Sequence, residues 1–160
     1  MASNVNKKSI LSHPVHILAF GFGSGLMPRA PGTFGTLVAI PIFYIMAPLS
    51  QMTYALICAL VIASGIFICG YSAKLLKVHD HPGIVWDEIA GYLLTMFGFA
   101  ANWQNMLIGF ALFRFFDIVK PWPIKWVDRK VTGGFGIMLD DVIAGGFAWV
   151  GLYGINYLWL

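Results

Sequence analysis

Three long runs of this sequence contain no Asp, Glu, Lys or Arg, and they span residues 30–73, 89–113 and 142–160. All ten basic and seven acidic residues of the 160-residue chain lie before or between these runs. Only 11% of the chain is charged and 59% is hydrophobic, whereas a soluble domain has about 25% charged residues. Such a chain lacks the polar surface to cover a soluble core, so the runs predict helices embedded in a membrane.

Short uncharged turns divide the first two runs, with APLSQM at 47–52 and NWQN at 102–105. A helix needs about 20 residues to cross the hydrocarbon core. The piece after the first turn reaches that length, whereas the piece before it and the two pieces of the second run are short for full spans. We predict an all-α fold, a polytopic membrane helical bundle with about four to five membrane-embedded helices in a single domain, 1–160. The predicted helices are 33–47, 52–73, 88–101, 106–119 and 142–160.

Folding the chain back and forth at these turns gathers the charged segments on one side. Because cytoplasmic loops carry an excess of Lys and Arg, we expect that side to be the cytoplasmic one. The basic residues there are Lys7, Lys8, Arg29, Lys74, Lys77, Lys120, Lys125, Arg129 and Lys130. The same side receives all the acidic residues: Asp80, Asp87, Glu88, Asp117, Asp128, Asp140 and Asp141.

Composition argues against several other classes of protein. Cys58 and Cys69 lie within one apolar stretch and are expected to be buried thiols rather than a disulfide framework. The net charge of +3 is modest and the basic residues do not alternate with aromatic residues, so no nucleic-acid partner is expected. The N-terminal segment has no uninterrupted apolar region before a small-residue site, so we expect no cleaved signal peptide.

The segment GFGSGLMPRAPGTFGTL, residues 21–37, is a candidate phosphate-binding loop. Its glycines do not follow the GxGxxG spacing, which argues against a dinucleotide-binding fold. Thr33 is a suitable N-cap for the helix that follows Gly32, and exposed N–H groups at a helix start beside Arg29 would suit a phosphate. An ordinary turn and helix cap explains the same residues.

The segment HDHPGIVWDEIAGY, residues 79–92, places Asp87 and Glu88 at the start of a predicted membrane helix. Acidic side chains at a helix N-terminus are stabilised by the helix dipole, so capping is one explanation. Ionisable residues at membrane depth are usually functional, which favours a site that also includes Asp80. His79 and His81 are candidate bases or metal ligands, although each is also typical of a loop.

Two further segments add charges on the same side. In FRFFDIVKPWPIKW, Arg114 and Asp117 share a helix face, as do Asp117 and Lys120, which suits either an ion pair or an anionic head group. In GGFGIMLDDVIAGG, we expect Asp140 and Asp141 to begin the last helix, where they could also act as caps. The glycines before them would let a loop approach a ligand closely.

Carboxylates gathered in this way would repel one another and raise one another's pKa unless a cation neutralised them. Oxygen ligands without a cysteine or histidine cluster suit Mg²⁺, which uses few carboxylates and binds substrate phosphate. The sequence therefore predicts that Mg²⁺ and a phosphate share this rim. The candidate cluster is Asp80, Asp87, Glu88, Asp117, Asp140 and Asp141, opposite Arg29, Arg114 and Lys120.

These four segments, in collinear order from about His16 to Gly146, together resemble the phosphatidylglycerophosphatase A family. The resemblance implies a mostly helical, membrane-embedded, Mg²⁺-dependent phosphatase of the bacterial inner membrane. It would hydrolyse phosphatidylglycerophosphate to phosphatidylglycerol and inorganic phosphate, with its active site on the cytoplasmic face. The resemblance implies a phospholipid substrate in the bilayer and leaves the oligomeric state open.

The resemblance also implies roles for individual residues. The family's DE and DD pairs correspond to Asp87 with Glu88 and to Asp140 with Asp141. Water, with a carboxylate as base, is the simpler nucleophile, and an aspartyl-phosphate intermediate is the alternative. The expected catalytic and metal-binding residues are Asp80, Asp87, Glu88, Asp140 and Asp141. The expected substrate-binding residues are Arg29, Gly32, Thr33, Arg114, Asp117 and Lys120.

Three other functions would also use acidic residues in a membrane protein. A CDP-alcohol phosphotransferase, another metal-dependent head-group enzyme, would carry a DGxxAR…GxxxDxxxD pattern that this sequence lacks. A cation transporter would need acids near the middle of the membrane and on both sides. A structural membrane subunit would use the acids only as helix caps, and changing Asp87 or Asp141 to Asn would leave its function intact.

Overall fold

A computed structural model describes residues 13–78 and 81–159 of the chain. All regular structure in these two ranges is helical, which confirms the predicted all-α class. A 3₁₀ helix, Gly21–Leu26, lies between the first two α-helices. The α-helices are α1 Pro14–Ala19, α2 Pro31–Met46, α3 Gln51–Leu76, α4 Trp86–Thr95, α5 Trp103–Val119, α6 Ile124–Lys130 and α7 Gly133–Trp159.

Five of these helices correspond to the five predicted from the charge-free runs, with two differences in length. Helix α4 ends at Thr95 rather than near residue 101, and α7 begins at Gly133 rather than at residue 142. Within the described ranges, α3 and α7 are the two helices long and apolar enough to cross a membrane. Helix α2 is apolar but shorter, at 16 residues.

The short helix α4 lies at the centre of the bundle. Its side chains Ile89, Tyr92 and Leu93 are buried, and it packs against α2, α3, α5 and α7. The crossing of α4 and α7 is close because it is made by glycines: a Cβ on Gly145 would lie 2.5 Å from the backbone oxygen of Gly91. Neither helix could approach the other this closely with side chains at those positions.

The helices run back and forth so that the bundle has two chemically different ends. At what we call the amide end, the turns after α2 and after α4 line a common cavity of about 320 Å³ that includes Leu49 and Phe99. The charged end holds the start of α2, α4 and α7 and the end of α3 and α5. The amide end carries Asn102, Asn105 and Asn156, and the charged end carries Asp87, Glu88, Arg114, Asp117, Lys120, Asp128, Asp140 and Asp141.

Helix α3 presents an apolar stripe that the described part of the chain does not cover. Met52, Leu56, Leu60 and Phe67 are each between 59% and 78% exposed. The first three are four residues apart and therefore lie along one side of the helix. An apolar surface of this kind is typical of an interaction site or a lipid contact.

Two local predictions at the charged end are wrong. Thr33 is not the N-cap of α2, because the helix begins at Pro31 after Ala30, and the Thr33 N–H already donates to the Ala30 oxygen over 3.0 Å. Proline is favoured at the first helical position, so the helix begins at Pro31 rather than after Thr33. The glycines before Asp140 do not form a loop either. Gly134 lies within α7, where a Cβ would lie 1.9 Å from the backbone oxygen of Ile66, so it permits close packing on α3.

Candidate active site

A cavity of about 130 Å³ opens at the charged end, between α4, α5, α6 and α7. The sequence segments that supply its polar side chains are separated by up to sixty residues, and the helix crossings bring them together. Most of the predicted acidic residues meet here. The ionisable lining residues are His81, Asp87, Glu88, Asp117, Lys120, Asp128, Asp140 and Asp141.

Three carboxylates converge inside this cavity. One oxygen from each of Asp87, Glu88 and Asp141 lies within 4.8 Å of the other two. Asp141 is 3% exposed. Glu88 Oε2 and Asp141 Oδ2 are buried and accept no hydrogen bond from the described residues. Ionised carboxylates so close together repel unless a cation lies between them, so these are the residues that could hold a hard divalent ion.

The position of Asp140 and Asp141 excludes the capping explanation for them. Helix α7 begins at Gly133, so both lie in its third turn, whereas the helix dipole acts on side chains of the first turn. Their predicted position at a helix start is wrong for that reason. Asp87 and Glu88 do lie in the first turn of α4, where the dipole stabilises them.

Lys120 forms a separate network at the edge of the three carboxylates. Its Nζ donates to Asp128 Oδ1 and to Asp140 Oδ2, over 2.6 Å in both cases. Burial by itself would lower the pKa of Lys120, but the hydrogen bonds from Lys120 to Asp128 and Asp140 outweigh it and raise the pKa above its usual value. Lys120 therefore remains protonated and brings a positive charge to the cavity.

Arg114 supports Glu88 from behind the cavity. Its Nη1 donates to Asp117 and lies 3.8 Å from Glu88 Oε1, with all three side chains largely buried. Gly32 of α2 lies against this group, where a Cβ would be 2.2 Å from Glu88 Oε1 and 3.0 Å from Arg114 Nη1. The absence of a side chain at residue 32 therefore leaves room for the Glu88 carboxylate.

Comparison with known proteins identifies the family. The family model described as phosphatidylglycerophosphatase A matches residues 17–156. The chain belongs to the phosphatidylglycerophosphatase A family. It is 48% identical to phosphatidylglycerophosphatase A of Escherichia coli over 93% of this chain and 87% of that protein. It is 43% identical to phosphatidylglycerophosphatase A of Haemophilus influenzae over 97% and 96% of the two chains.

A further relative of this chain carries a different name. A Bacteroides thetaiotaomicron protein, provisionally named a phosphatidylinositol-3-phosphatase, is 34% identical over 84% of this chain and 88% of its own length. No solved structure matches the chain.

Some of the predicted site residues lie away from the cavity, and one lies outside the described residues. Arg29 is exposed on the loop before α2, and Thr33 is partly exposed in the first turn of α2. Neither residue lines the cavity. Asp80 lies outside the described residues.

Two lining residues were missing from the predicted site. Asp128 comes after the prolines that end α5, so its contact with Lys120 depends on how the chain turns into α6, which no periodicity indicates. His81 was named as a candidate base or metal ligand, or else a loop histidine, but was left out of the expected site residues. Its place beside Pro82 and Gly83, just before the Asp87–Glu88 pair, is the one feature of the sequence that could have favoured it.

Proposed function

We propose that this chain hydrolyses phosphatidylglycerophosphate to phosphatidylglycerol and inorganic phosphate in phospholipid biosynthesis. The observation that carries this proposal is membership of the family together with a cavity in which three carboxylates converge. In the reaction a water oxygen bonds to phosphorus while the bond from phosphorus to the glycerol oxygen breaks. The attacking water loses a proton and the glycerol oxygen gains one, so that one water is consumed for each phosphate released.

Mg²⁺ is the cofactor that we propose, held by Asp87, Glu88 and Asp141. The support is chemical: the ligand atoms are all carboxylate oxygens, and buried oxygens of Glu88 and Asp141 have no hydrogen-bond partner in the described chain. When bound, Mg²⁺ would neutralise the phosphoryl oxygens and the converging carboxylates. Asp140 and Asp80 were also expected as ligands. Asp140 is engaged by Lys120, so we assign it to the phosphate side of the cavity.

The remaining polar residues orient these groups. Lys120, held by Asp128 and Asp140, would attract the phosphate and stabilise the charge of the transferring phosphoryl group. Arg114, bound to Asp117, would fix the direction of the Glu88 carboxylate. Arg29 and Thr33, which do not line the cavity, remain proposed contacts for the part of the head group that lies outside it.

Water is the nucleophile that we favour, with one of the cavity carboxylates as the base. The chain lacks the DxDx[TV] pattern of phosphatases with an aspartate nucleophile. It also lacks a Cx₅R loop, because no Arg follows Cys58 or Cys69 at the required spacing. An aspartyl-phosphate intermediate is the alternative that trapping of labelled phosphate on the protein would reveal.

We also propose that the protein is a multi-pass protein of the bacterial inner membrane with four to five membrane-embedded helices. The exposed apolar stripe of α3, including Leu56 and Phe67, would contact lipid. The basic residues Lys74 and Lys77 follow at the charged end of that helix, which would therefore face the cytoplasm. The acyl chains of the substrate could then stay in the bilayer while its terminal phosphate reaches the cavity.

The test is phosphate release from phosphatidylglycerophosphate by purified protein in detergent, with Mg²⁺ or with a chelator. We expect release by the wild type only with Mg²⁺, and almost none from Asp141→Asn. The matched control is Asp128→Asn, which removes a carboxylate from the same cavity but not from the group of three. Wild type that is well folded yet releases no phosphate would contradict the proposed reaction.

Binding of the metal is tested separately from activity. Because a ligand that binds only the folded state stabilises it, Mg²⁺ should raise the Tm of the wild type and of Asp128→Asn. The same addition should leave the Tm of Asp141→Asn nearly unchanged. Equal shifts in all three proteins would contradict the assignment of Asp141 as a ligand.

A second candidate is hydrolysis of another lipid phosphomonoester at the same site. The relative provisionally named a phosphatidylinositol-3-phosphatase favours it, because a chain 34% identical to this one is named for a different head group. Comparing kcat/KM for phosphatidylglycerophosphate with that for phosphatidylinositol 3-phosphate and phosphatidic acid would distinguish the two candidates.

A further inference from the structure

The charged end of the bundle separates its acidic side chains from its basic ones. Within the described ranges, every acidic side chain lines the cavity. The basic residues other than Arg114 and Lys120 are instead exposed outside it: Arg29, Lys74, Lys77, Lys125, Arg129 and Lys130. The described outer surface of this end is therefore predominantly cationic, which suits a partner with negative charge.

Three of these six basic residues lie on α6, and the two sides of that helix differ. Ile124 and Val127 are buried and hold one side against the bundle. Lys125, Arg129 and Lys130 are exposed, and Lys125 lies four residues before Arg129, on the same side of the helix. Their side chains form no ion pair or hydrogen bond with the described part of the chain. These three charges are therefore available to a partner.

Two tryptophans accompany the basic residues of α6. Trp122, in the turn before the helix, is 81% exposed, and Trp126, within the helix, is 56% exposed. Trp126 lies three and four residues before Arg129 and Lys130, so it shares their side of α6. Because its ring is apolar and its N–H is polar, tryptophan is enriched where an apolar layer meets water. Aromatic and cationic side chains together are thus suited to the head-group layer of a membrane.

The same helix also contributes to the cavity. Asp128 of α6 accepts a hydrogen bond from Lys120 over 2.6 Å, and Lys120 donates to Asp140 as well. Helix α6 therefore has one side at the cavity and another side free of contacts with the bundle. Contact of that free side with lipid would place the cavity beside the head-group layer, where the phosphate of a lipid substrate lies.

We propose that the exposed side of α6, formed by Trp122, Lys125, Trp126, Arg129 and Lys130, binds the head groups of anionic phospholipids. The tryptophan rings enter the border of the apolar layer, and the basic side chains contact lipid phosphates. Lipid fits better than an acidic protein segment, because a bilayer offers an apolar layer next to its negative charges. The inference rests on the proposed membrane location and goes beyond the proposed reaction, since this surface lies outside the cavity.

The experiment measures which lipids contact the two tryptophans. The full chain is reconstituted in phosphatidylcholine bilayers that contain an equal fraction of either brominated phosphatidylserine or brominated phosphatidylcholine, because bromine quenches the fluorescence of a neighbouring tryptophan. A chelator is present so that no divalent ion bridges protein and lipid. The chain has six tryptophans, so the part of the quenching that is lost in a Trp122→Phe, Trp126→Phe double variant reports this surface.

We expect the surface to prefer the anionic lipid by at least about fivefold, the factor that one basic residue near an anionic membrane contributes. Combining Lys125→Gln, Arg129→Gln and Lys130→Gln should remove the preference. The matched control, Lys125→Arg with Lys130→Arg, keeps the charges and should keep the preference. Equal quenching of the wild type by both lipids, or a preference unchanged in the triple Gln variant, would overturn the proposal.

A salt series on the wild type keeps the proposal testable if the triple variant does not fold. Raising NaCl from about 0.1 M to about 1 M shortens the Debye length from about 10 Å to about 3 Å, so the preference should fall. A preference that does not depend on salt would contradict binding through these exposed charges.

The measurement distinguishes this proposal from those on which it could be confused. Quenching by neither lipid would contradict the membrane location itself, and with it the lipid-binding surface. Equal quenching by both lipids would contradict only the preference for anionic lipid and would leave the basic residues to an acidic protein partner. No substrate is present, so the result does not depend on whether the chain releases phosphate.

Discussion

The two ends of the bundle hold polar side chains of different kinds, and the difference indicates which end is the site. At the amide end, Asn105 is buried and fully engaged: it donates to the oxygen of Ala100 over 3.2 Å and accepts from Asn156 over 2.9 Å. At the charged end, Asp141 is as buried as Asn105 and Glu88 is largely buried, but each has an oxygen without a hydrogen-bond partner among the described residues. Burying an ionised oxygen without a partner is costly, so that end is suited to a ligand.

The contrast also separates stability from function. The amides of Asn102, Asn105 and Asn156 close a helix start and join α5 to α7, so they stabilise the fold. The converging carboxylates oppose the fold through mutual repulsion unless something binds between them. A polar cluster that is satisfied by its own chain is structural, whereas one that is left incomplete is a candidate site.

The largest expected effect comes from removing a charge from the group of three. Asp141→Asn should lower kcat by about 10²-fold or more, because the carboxylate proposed to hold the metal becomes neutral. Its Tm without metal should not fall, since repulsion with Asp87 and Glu88 is relieved. Steady-state kinetics and thermal unfolding without Mg²⁺ would measure both. A fall in Tm as large as that of a core substitution would show that Asp141 is structural, like the amides.

A change that adds no charge should also affect the charged end. Gly32→Ala places a methyl group 2.2 Å from the Glu88 oxygen, and the end of that flexible side chain must move. Since small displacements of a catalytic group can cost up to about 10²-fold, we expect kcat to fall by about tenfold to 10²-fold with little change in Tm. Gly154→Ala is the matched control, because a Cβ there meets nothing within 4 Å. Equal activity in the two variants would contradict the role of Gly32.

A smaller effect is expected at the edge of the charged end. Asp128→Asn removes one of two partners of Lys120, and Asp140 remains. A partly exposed ion pair is worth about 0.2–1 kcal/mol, so kcat should fall by no more than about fivefold.

The raised pKa of Lys120 determines how the stabilisation from its ion pairs depends on pH. Because the pKa of Lys120 is raised above its ordinary value of 10.5, the stabilisation from its ion pairs is complete below that value and is lost only as the pH rises beyond it. The difference in Tm between wild type and Asp128→Asn should therefore be the same at pH 7.5 and pH 9. A difference that disappears between those values would contradict a raised pKa.

The smallest effect on activity is expected at the amide end. Asn105→Ala removes the donor to Ala100 and the acceptor for Asn156, which should lower the free energy of unfolding by about 1–3 kcal/mol. Asn105 lies at the opposite end from the cavity. Because substitutions at distant sites affect one another only weakly, kcat at a permissive temperature should stay within about twofold of the wild type. Chemical denaturation and kinetics on the same preparation test this. Loss of activity without loss of stability would mean that the amide end takes part in function.

Much of the fold follows from the distribution of charges and turns. The charge-free runs located α2, α3 and α5 to within a few residues. A segment without charges can be buried in an apolar environment along its whole length, so its ends mark the ends of the helix. The start of α7 was missed because Gly133 and Gly134 are typical of loops. The contact of Gly134 with α3, which requires glycine, stabilises the helix where local propensity disfavours it.

The candidate site was predictable as a set of residues but not as an arrangement. Asp140 and Asp141 are neighbours in the sequence, yet they point about 100° apart on α7, so one contacts Lys120 and the other faces Asp87 and Glu88. The sequence offered no way to assign the two positions, because the rotation of α7 relative to α4 decides it. The same holds for His81, whose place in the cavity lining depends on the turn before α4.

The sequence by itself determined that the chain is helical, that its charges collect at one end and that the opposite end is uncharged. These properties follow from which residues water solvates and which it does not, and no contact between distant residues is needed to infer them. Only the tertiary structure decided which carboxylates converge, because their separation is set by the glycine-mediated crossing of α4 and α7 at Gly91 and Gly145. Repulsion between carboxylates depends on distance, so the chemistry of this cavity exists only once the helices have packed.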